Sequence, residues 1–465
     1  ITEGFSTSAS AANGNNTVTF NTLGAGTYAD KTITLEDAAG NTSSLTLVTF
    51  VIDTTAPTGA ITYSADAPYK QGATATVTAT FTEALTTTPK IAISGVSTVA
   101  ATDMSGSGTT WTYAYTAPAG NGTDTFAFSV GTDAAGNTVT AGPTSGATVT
   151  VDNTAPTISA VTQIATNTSD NTPSYVFTTN ETGTVTTNIG AGIGSGGTVT
   201  STGNNTVTFA ELSDATYSSK TITLTDTAGN ASSLTLSTFT VDTTAPTLSS
   251  VAIASTNSTT SLVKHGQDVV LTFTASETIG TPTVTFFSGG DSTDDGTISY
   301  VNTTGNTWTA TYDVRYADTE GAVTFSISFS DSASNAGTAV TAVTNGSTVT
   351  FDRTPPTITQ VTAVPTPSND TTPSYVYTTN EAGTITSSLA FSTTTSASTG
   401  SNQTITFNTL SAGVYSGETL TITDPTGNAR TKTIPDFTIE TTAPTGAITY
   451  SADAPYKQGA TATVT

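Results

Sequence analysis

One short phrase, Asp-x-Thr-Ala-Pro, punctuates the chain and limits what it can fold into. It reads DTTAP from Asp53, DNTAP from Asp152, DTTAP from Asp242, DRTPP from Asp352 and ETTAP from Glu440. The closing prolines, Pro57, Pro156, Pro246, Pro356 and Pro444, are separated by steps of 99, 90, 110 and 88 residues. Long and short units therefore alternate, and the true period is a pair of pairs. The 25 residues from 54 to 78 return letter for letter as 441 to 465, so the chain is expected to stop just inside another copy. Self-similarity at this spacing means an array of small cores, each supported by its neighbours. The boundaries expected are a partial short unit over 1–52, a long one over 53–151, a short one over 152–241, a long one over 242–351, a short one over 352–440, and the start of a long one over 441–465.

Within each unit, short runs alternate apolar and polar residues with period two, between clusters of Gly, Asn, Asp and Pro. In ATATVTATFTE, Ala75, Val77, Ala79 and Phe81 share one face and threonines the other, the pattern of a half-buried strand. About seven such runs in roughly 100 residues predict an all-β fold, a tandem array of immunoglobulin-like Greek-key β-sandwiches without the usual cysteine pair. No run reads as a helix. The short units also place a tyrosine, Tyr28, Tyr217 or Tyr415, just before the sixth strand, where a phenol can tie the loop to nearby backbone. Trp111 and Trp308 fall in matched stretches of the long units and are expected to anchor cores.

Composition excludes several functions. With 34 acidic against 10 basic residues, net charge −24, the chain is a poor partner for nucleic acid or an anionic membrane surface, and a good one for cations. It has no cysteine, hence neither disulfides nor thiolate metal sites. No apolar run has the length of a membrane span. His265 is the single histidine, in a loop before a strand, and no nucleophile set recurs with the units, so the inventory argues against an enzyme.

Two acidic features recur. Asp-x-Ala-Gly-Asn appears as DAAGN at 37 and 133, DTAGN at 226, DSASN at 331 and DPTGN at 424, each between the sixth and seventh strands. Gly and Asn suit a turn there, and Asp an Asx turn, which by itself accounts for the motif. A glutamate also ends the second strand of each unit: Glu83, Glu181, Glu277 and Glu381 share that strand's inward parity and so belong at the mouth of the sandwich rather than in a dry core. Sandwich topology puts the entering linker and both loops at one end. Four clusters are expected: Asp53, Glu83 and Asp133; Asp152, Glu181 and Asp226; Asp242, Glu277 and Asp331; Asp352, Glu381 and Asp424. Asp226, Asp331 and Asp424 continue the inward series of Leu224, Phe329 and Ile422, whereas Asp133 is out of phase, shifted by Gly131. Three carboxylates with few cationic side chains to neutralise them call for a hard divalent cation, and Ca²⁺, with six to eight oxygen ligands, fits better than Mg²⁺. The bland reading is of solvated acids around a polar joint.

The linkers VDTTAP, the hairpins DAAGN and the strand ends SETIG and TNEAG resemble those of tandem bacterial immunoglobulin-like repeats of large secreted surface proteins, adhesins and biofilm proteins among them. The resemblance covers essentially the whole chain. It implies an extracellular stalk or filament, with calcium at inter-domain junctions in some members; the acids named above are the positions it carries over. The expected partners are neighbouring repeats and other copies of the chain. Three further readings stay open at this stage: lateral assembly into a fibre or sheath, including donation of the terminal strands to another molecule; glycan binding; and ice binding by threonine rows.

Overall fold

A computed structural model of the chain describes residues 11–200, 202–293, 297–393, 396–449 and 458–459. Most of the expected final unit, and the first ten residues, lie outside these. Among the described residues there are strands and no helix, hence none long and apolar enough to cross a membrane. The chain is all-β, a tandem series of immunoglobulin-like sandwiches, and divides into two compact units, 1–241 and 242–465.

In the first unit, Gly59–Tyr63, Thr74–Leu85 and Ser105–Thr116 form one antiparallel sheet. Thr148–Val151, Gly122–Ser129, Lys90–Ser94 and Val99–Asp103 form the sheet facing it. The alternation along Thr74–Leu85 buries Ala75, Val77, Ala79 and Phe81 and turns threonines outward. Phe81 meets Phe128 across the sheets, 5.0 Å between ring centres. Each such fully buried side chain contributes on the order of 2 kcal/mol. The next sandwich pairs the sheet of Ile158–Thr162, Ser174–Thr179, Gly203–Phe209 and Ile193–Ser195 with that of Thr198–Val199, Gly183–Thr187, Thr221–Thr225 and Ala231–Thr235. Its core is drawn from residues 158–241 alone, as that of its predecessor is from 61–151. Residues 11–52 supply two antiparallel strand pairs, Gly26–Tyr28 with Phe50–Ile52 and, between them in sequence, the hairpin of Thr32–Glu36 with Thr42–Thr46.

The second unit repeats this plan. Leu248–Ser255, Asp268–Ala275, Thr307–Asp313 and Ser299–Thr304 face Leu262–Val263, Val349–Phe351, Gly321–Ser328, Thr283–Ser288 and Asp291–Ser292. The sandwich that follows takes its core from residues 358–439.

Short and long repeats fasten their corners differently. In the short ones the expected phenols donate four residues back: Tyr28 to the Gly24 carbonyl at 2.8 Å, Tyr217 to Ser213 at 2.9 Å and Tyr415 to Ser411 at 3.0 Å. Each ring stacks on a phenylalanine of the closing strand, Phe50, Phe239 or Phe437. The long repeats instead bury an acid. Tyr115 donates to Asp124 at 2.7 Å and Tyr312 to Asp318 at 2.6 Å. Trp111 is buried, as expected; Trp308 packs against its core from a half-buried position.

Candidate metal centre

The four acidic trios converge as the topology requires. In each of Asp53, Glu83 and Asp133; Asp152, Glu181 and Asp226; Asp242, Glu277 and Asp331; and Asp352, Glu381 and Asp424, carboxylate oxygens of all three residues lie within 4.8 Å of one another. Three elements position them. The linker Asp makes an Asx turn, accepting the N–H two residues on: Thr55, Thr154, Thr244 and Thr354, at 2.9 to 3.1 Å. The linker proline beyond it is buried in all four repeats, fixing where the chain enters. Glu181, Glu277 and Glu381 continue the inward row two residues past the end of the second strand, whereas Glu83 lies within its strand, with Leu85 buried beyond it; all four stay half-buried.

The hairpin Asp is buried and held rigidly. One Asp133 oxygen accepts the N–H groups of Ala135 and Asn137, and the other accepts the Asn137 amide. Asp133 reaches this position despite its phase. Val130 and Gly131 both take positive φ, 60° and 84°, and this left-handed step turns the strand end by the one residue that parity lacks. The loose hairpin DSASN also closes, with Ser334 at φ 74° where the other hairpins have glycine.

Sequence reasoning missed the hairpin asparagine. Beyond its own Asp, the side-chain amide donates to the backbone carbonyl of the linker acid: Asn137 to Asp53 at 3.1 Å, Asn230 to Asp152 at 3.0 Å, Asn335 to Asp242 at 2.7 Å and Asn428 to Asp352 at 3.0 Å. It is a clamp between linker and hairpin, not merely a turn former. The signal was present, since Asn stays in DSASN where Gly does not. In the short repeats a second asparagine, Asn180 or Asn380, donates to the neighbouring glutamate and accepts the N–H of Thr157 or Thr357.

The electrostatics are those of crowded, uncompensated charge. Burial, and then the flanking aspartates, push the carboxyl groups of Glu83, Glu181, Glu277 and Glu381 above the usual glutamate range. Burial, and among the charges Asp424 and Glu320, raises Asp352 too. Burial also opposes ionisation of Asp133, but the hydrogen bonds from Asn137 and the hairpin N–H groups outweigh it and hold that carboxyl low. Among the described residues none of the twelve acids forms an ion pair; Arg353, next to Asp352, turns away to Glu320. Glu381 Oε2 is fully buried with no hydrogen-bond partner. The donor set is all oxygen, mostly anionic, on fixed supports. It suits a hard divalent cation and offers nothing to a soft one.

Residues 203–345, from the later strands of one short repeat through most of the next long one, match the bacterial Ig-like domain (group 3). Among solved structures, the chain is similar to a tetra-tandem repeat from the extending region of a large adhesion protein. That likeness has 19% identity, covers 83% of this chain and 100% of that one, and has a TM-score of 0.28. An I-band fragment of titin is matched at 13% identity, 64% and 100% coverage and a TM-score of 0.29. An ectodomain fragment of ICAM-5 is matched at 10% identity, 82% and 100% coverage and a TM-score of 0.30. At these identities each is a likeness of fold. None of the curated proteins compared matches the chain.

Proposed function

We propose that this chain is part of the extracellular repeat region of a bacterial surface protein, a spacer of alternating long and short immunoglobulin-like repeats bounded at the linker acids, with calcium bound where each linker enters its sandwich. The observation that carries the reading is the recurrence of one acidic trio in four consecutive repeats. A catalytic site would occur once; a structural joint occurs at every joint.

Calcium, when bound, supplies the positive charge that these side chains lack. The linker Asp, strand-end Glu and hairpin Asp of each repeat would hold it, and Glu381 Oε2 would gain the partner it lacks. The asparagine clamp already joins linker backbone to hairpin, so the ligands come from segments tied together before any ion arrives. Binding at such a place resists rotation of the linker against its sandwich. The function is mechanical, and the neighbouring repeats are the partners.

The test is calorimetric. The chain, stripped with chelator, is titrated with calcium and then with magnesium at fixed ionic strength, and the melting temperature is followed in parallel. Saturable calcium binding, a higher melting temperature, weaker magnesium binding and one fewer site in Glu277→Gln are the expected results. No heat and no shift at millimolar calcium would remove the ion from the account.

A further inference from the structure

We infer that each long repeat is pinned to the short repeat after it by a lysine and a linker side chain, so that the rigid element of the array is the long–short pair. This goes beyond the calcium reading and does not depend on it.

The first observation is a contact made twice. Lys70, at the far end of the long repeat 53–151, donates from Nζ to the Gly229 carbonyl at 2.7 Å, in the hairpin of the short repeat that follows. Lys264 donates in the same way to Gly427 at 2.8 Å. Both glycines have positive φ, 91° and 94°, and a Cβ at either would lie 3.3 or 3.1 Å from the lysine nitrogen. The position therefore favours glycine for its backbone, and a larger residue would push the lysine nitrogen back by a few tenths of an ångström.

The second observation is one of register. In each of the four repeats between residues 53 and 440 a short segment pairs parallel with the closing strand, which aligns Tyr69 with Val151, Thr168 with Val241, Val263 with Phe351 and Ser368 with Ile439. The next residue is Lys70 or Lys264 in the long repeats, and Ser169 or Asn369 in the short ones. Only the long repeats place a lysine there. In a chain with 10 basic residues, placing one at this point in both is informative.

The third is the linker. After the linker acid, the long-to-short joints have Asn153 and Arg353, and the short-to-long joints Thr54, Thr243 and Thr441. Asn153 donates to the carbonyls of Pro118 and Gly120, and its oxygen accepts the Gln71 N–H at 2.5 Å. Arg353 donates to the carbonyls of Tyr316 and Asp318, with its guanidinium 4.8 Å over the Tyr316 ring. Both tie the linker back to the long repeat it leaves, while the lysine reaches forward over it. Interfaces between domains of one chain are mobile by default, and a joint fastened in both directions is the exception.

Because the chain has no cysteine, exposed Ala101 and Thr235 can be replaced by cysteine and spin-labelled, one in each repeat of the first pair, and Val301 and Thr433 in the second. Distance distributions are measured on the whole chain in chelator, so that failure of the calcium reading leaves the result intact. The expected outcome is a single narrow distribution in each pair. Lys70→Met or Lys264→Met widens it, arginine at either position restores it, and Lys70→Ser with Asn153→Thr, which rewrites the joint as short-to-long, widens it most. Trp111 fluorescence and circular dichroism confirm that the sandwiches stay folded. A distribution already broad in the native chain, or one unchanged in the double variant, overturns the proposal.

Discussion

The long–short pairs 53–241 and 242–440 share a plan and differ in how firmly it is fastened. In the first, the lysine pin is exposed and the linker side chain is a neutral asparagine. In the second, the pin is half-buried, Arg353 replaces Asn153, and Asn257 adds a buried hydrogen bond at 2.8 Å to the carbonyl of Thr426. Thr426 in turn bonds Asp352 of the acidic trio. The second pair thus has more contact at the joint and more strain in its acids, since Asp352 is raised and Glu381 keeps an unpartnered oxygen. The position of the joint is fixed by the repeat; its strength is set by a few residues that the repeat leaves free.

The largest test of this equivalence lies in the long repeats. Asp124 is fully buried and accepts the Tyr115 hydroxyl and the Ser97 N–H; Asp318 accepts the Tyr312 hydroxyl and the Arg315 N–H. Alanine at either leaves buried donors unpaired and is expected to cost about 3 kcal/mol. Each long repeat carries one of the two tryptophans, so urea unfolding followed in single-tryptophan variants reads each separately. Asp124→Ala should move the Trp111 transition and leave that of Trp308 in place. A shift of both would show that the sandwiches do not unfold locally.

A smaller effect is expected at the clamp. Asn230→Ala and Asn428→Ala each remove two hydrogen bonds, one to a carboxylate and one to a linker carbonyl. A cost of about 2 kcal/mol to each short repeat follows, measurable as lost hydrogen-exchange protection in the strands Thr221–Thr225 and Thr419–Thr423. Equal losses would mean that the clamp acts within its own sandwich. A clearly larger loss at Asn428 would mean that the tighter joint leans on the hairpin.

These differences also mark what could be read from the letters. Strand alternation, the phenol corners and the twelve acids were legible because each follows from parity or recurrence, and both survive folding. Asp133 was legible in composition but not in phase, since a left-handed step at Val130 and Gly131 is invisible to a count by twos. The pins were not legible. Nothing near Lys70 in sequence names the carbonyl it meets 159 residues on, and only the parallel register that aligns Tyr69 with Val151 shows that the short repeats lack a lysine there.

The smallest expected difference lies inside the short repeats. Tyr377 stands where the first pair has Phe177, and both side chains are fully buried, but the Tyr377 hydroxyl has no hydrogen-bond partner. A phenol taken from water and left unpaired lowers stability, so Tyr377→Phe should gain about 1 kcal/mol and Phe177→Tyr should lose a similar amount. Burial also pushes the Tyr377 hydroxyl from 10.0 up to about 12. Because the folded value is the higher one, its contribution is fully present below pH 10 and is lost as pH rises towards 12, where the unfolded chain is already ionised and the folded one is not. The long repeats of both pairs carry groups shifted further: Tyr115 and Tyr312 are pushed up by burial and then by their bonds to Asp124 and Asp318, and in the first pair Tyr63 is also raised to about 12 by burial and then by Tyr69. Alkaline melts with tyrosinate absorbance should therefore show the long repeat weakening in both pairs, and the short repeat weakening more in the second pair than in the first. Tyr377→Phe should bring the alkaline weakness of the second short repeat down to that of the first; if it does not, the unpartnered hydroxyl is not what separates the two short repeats.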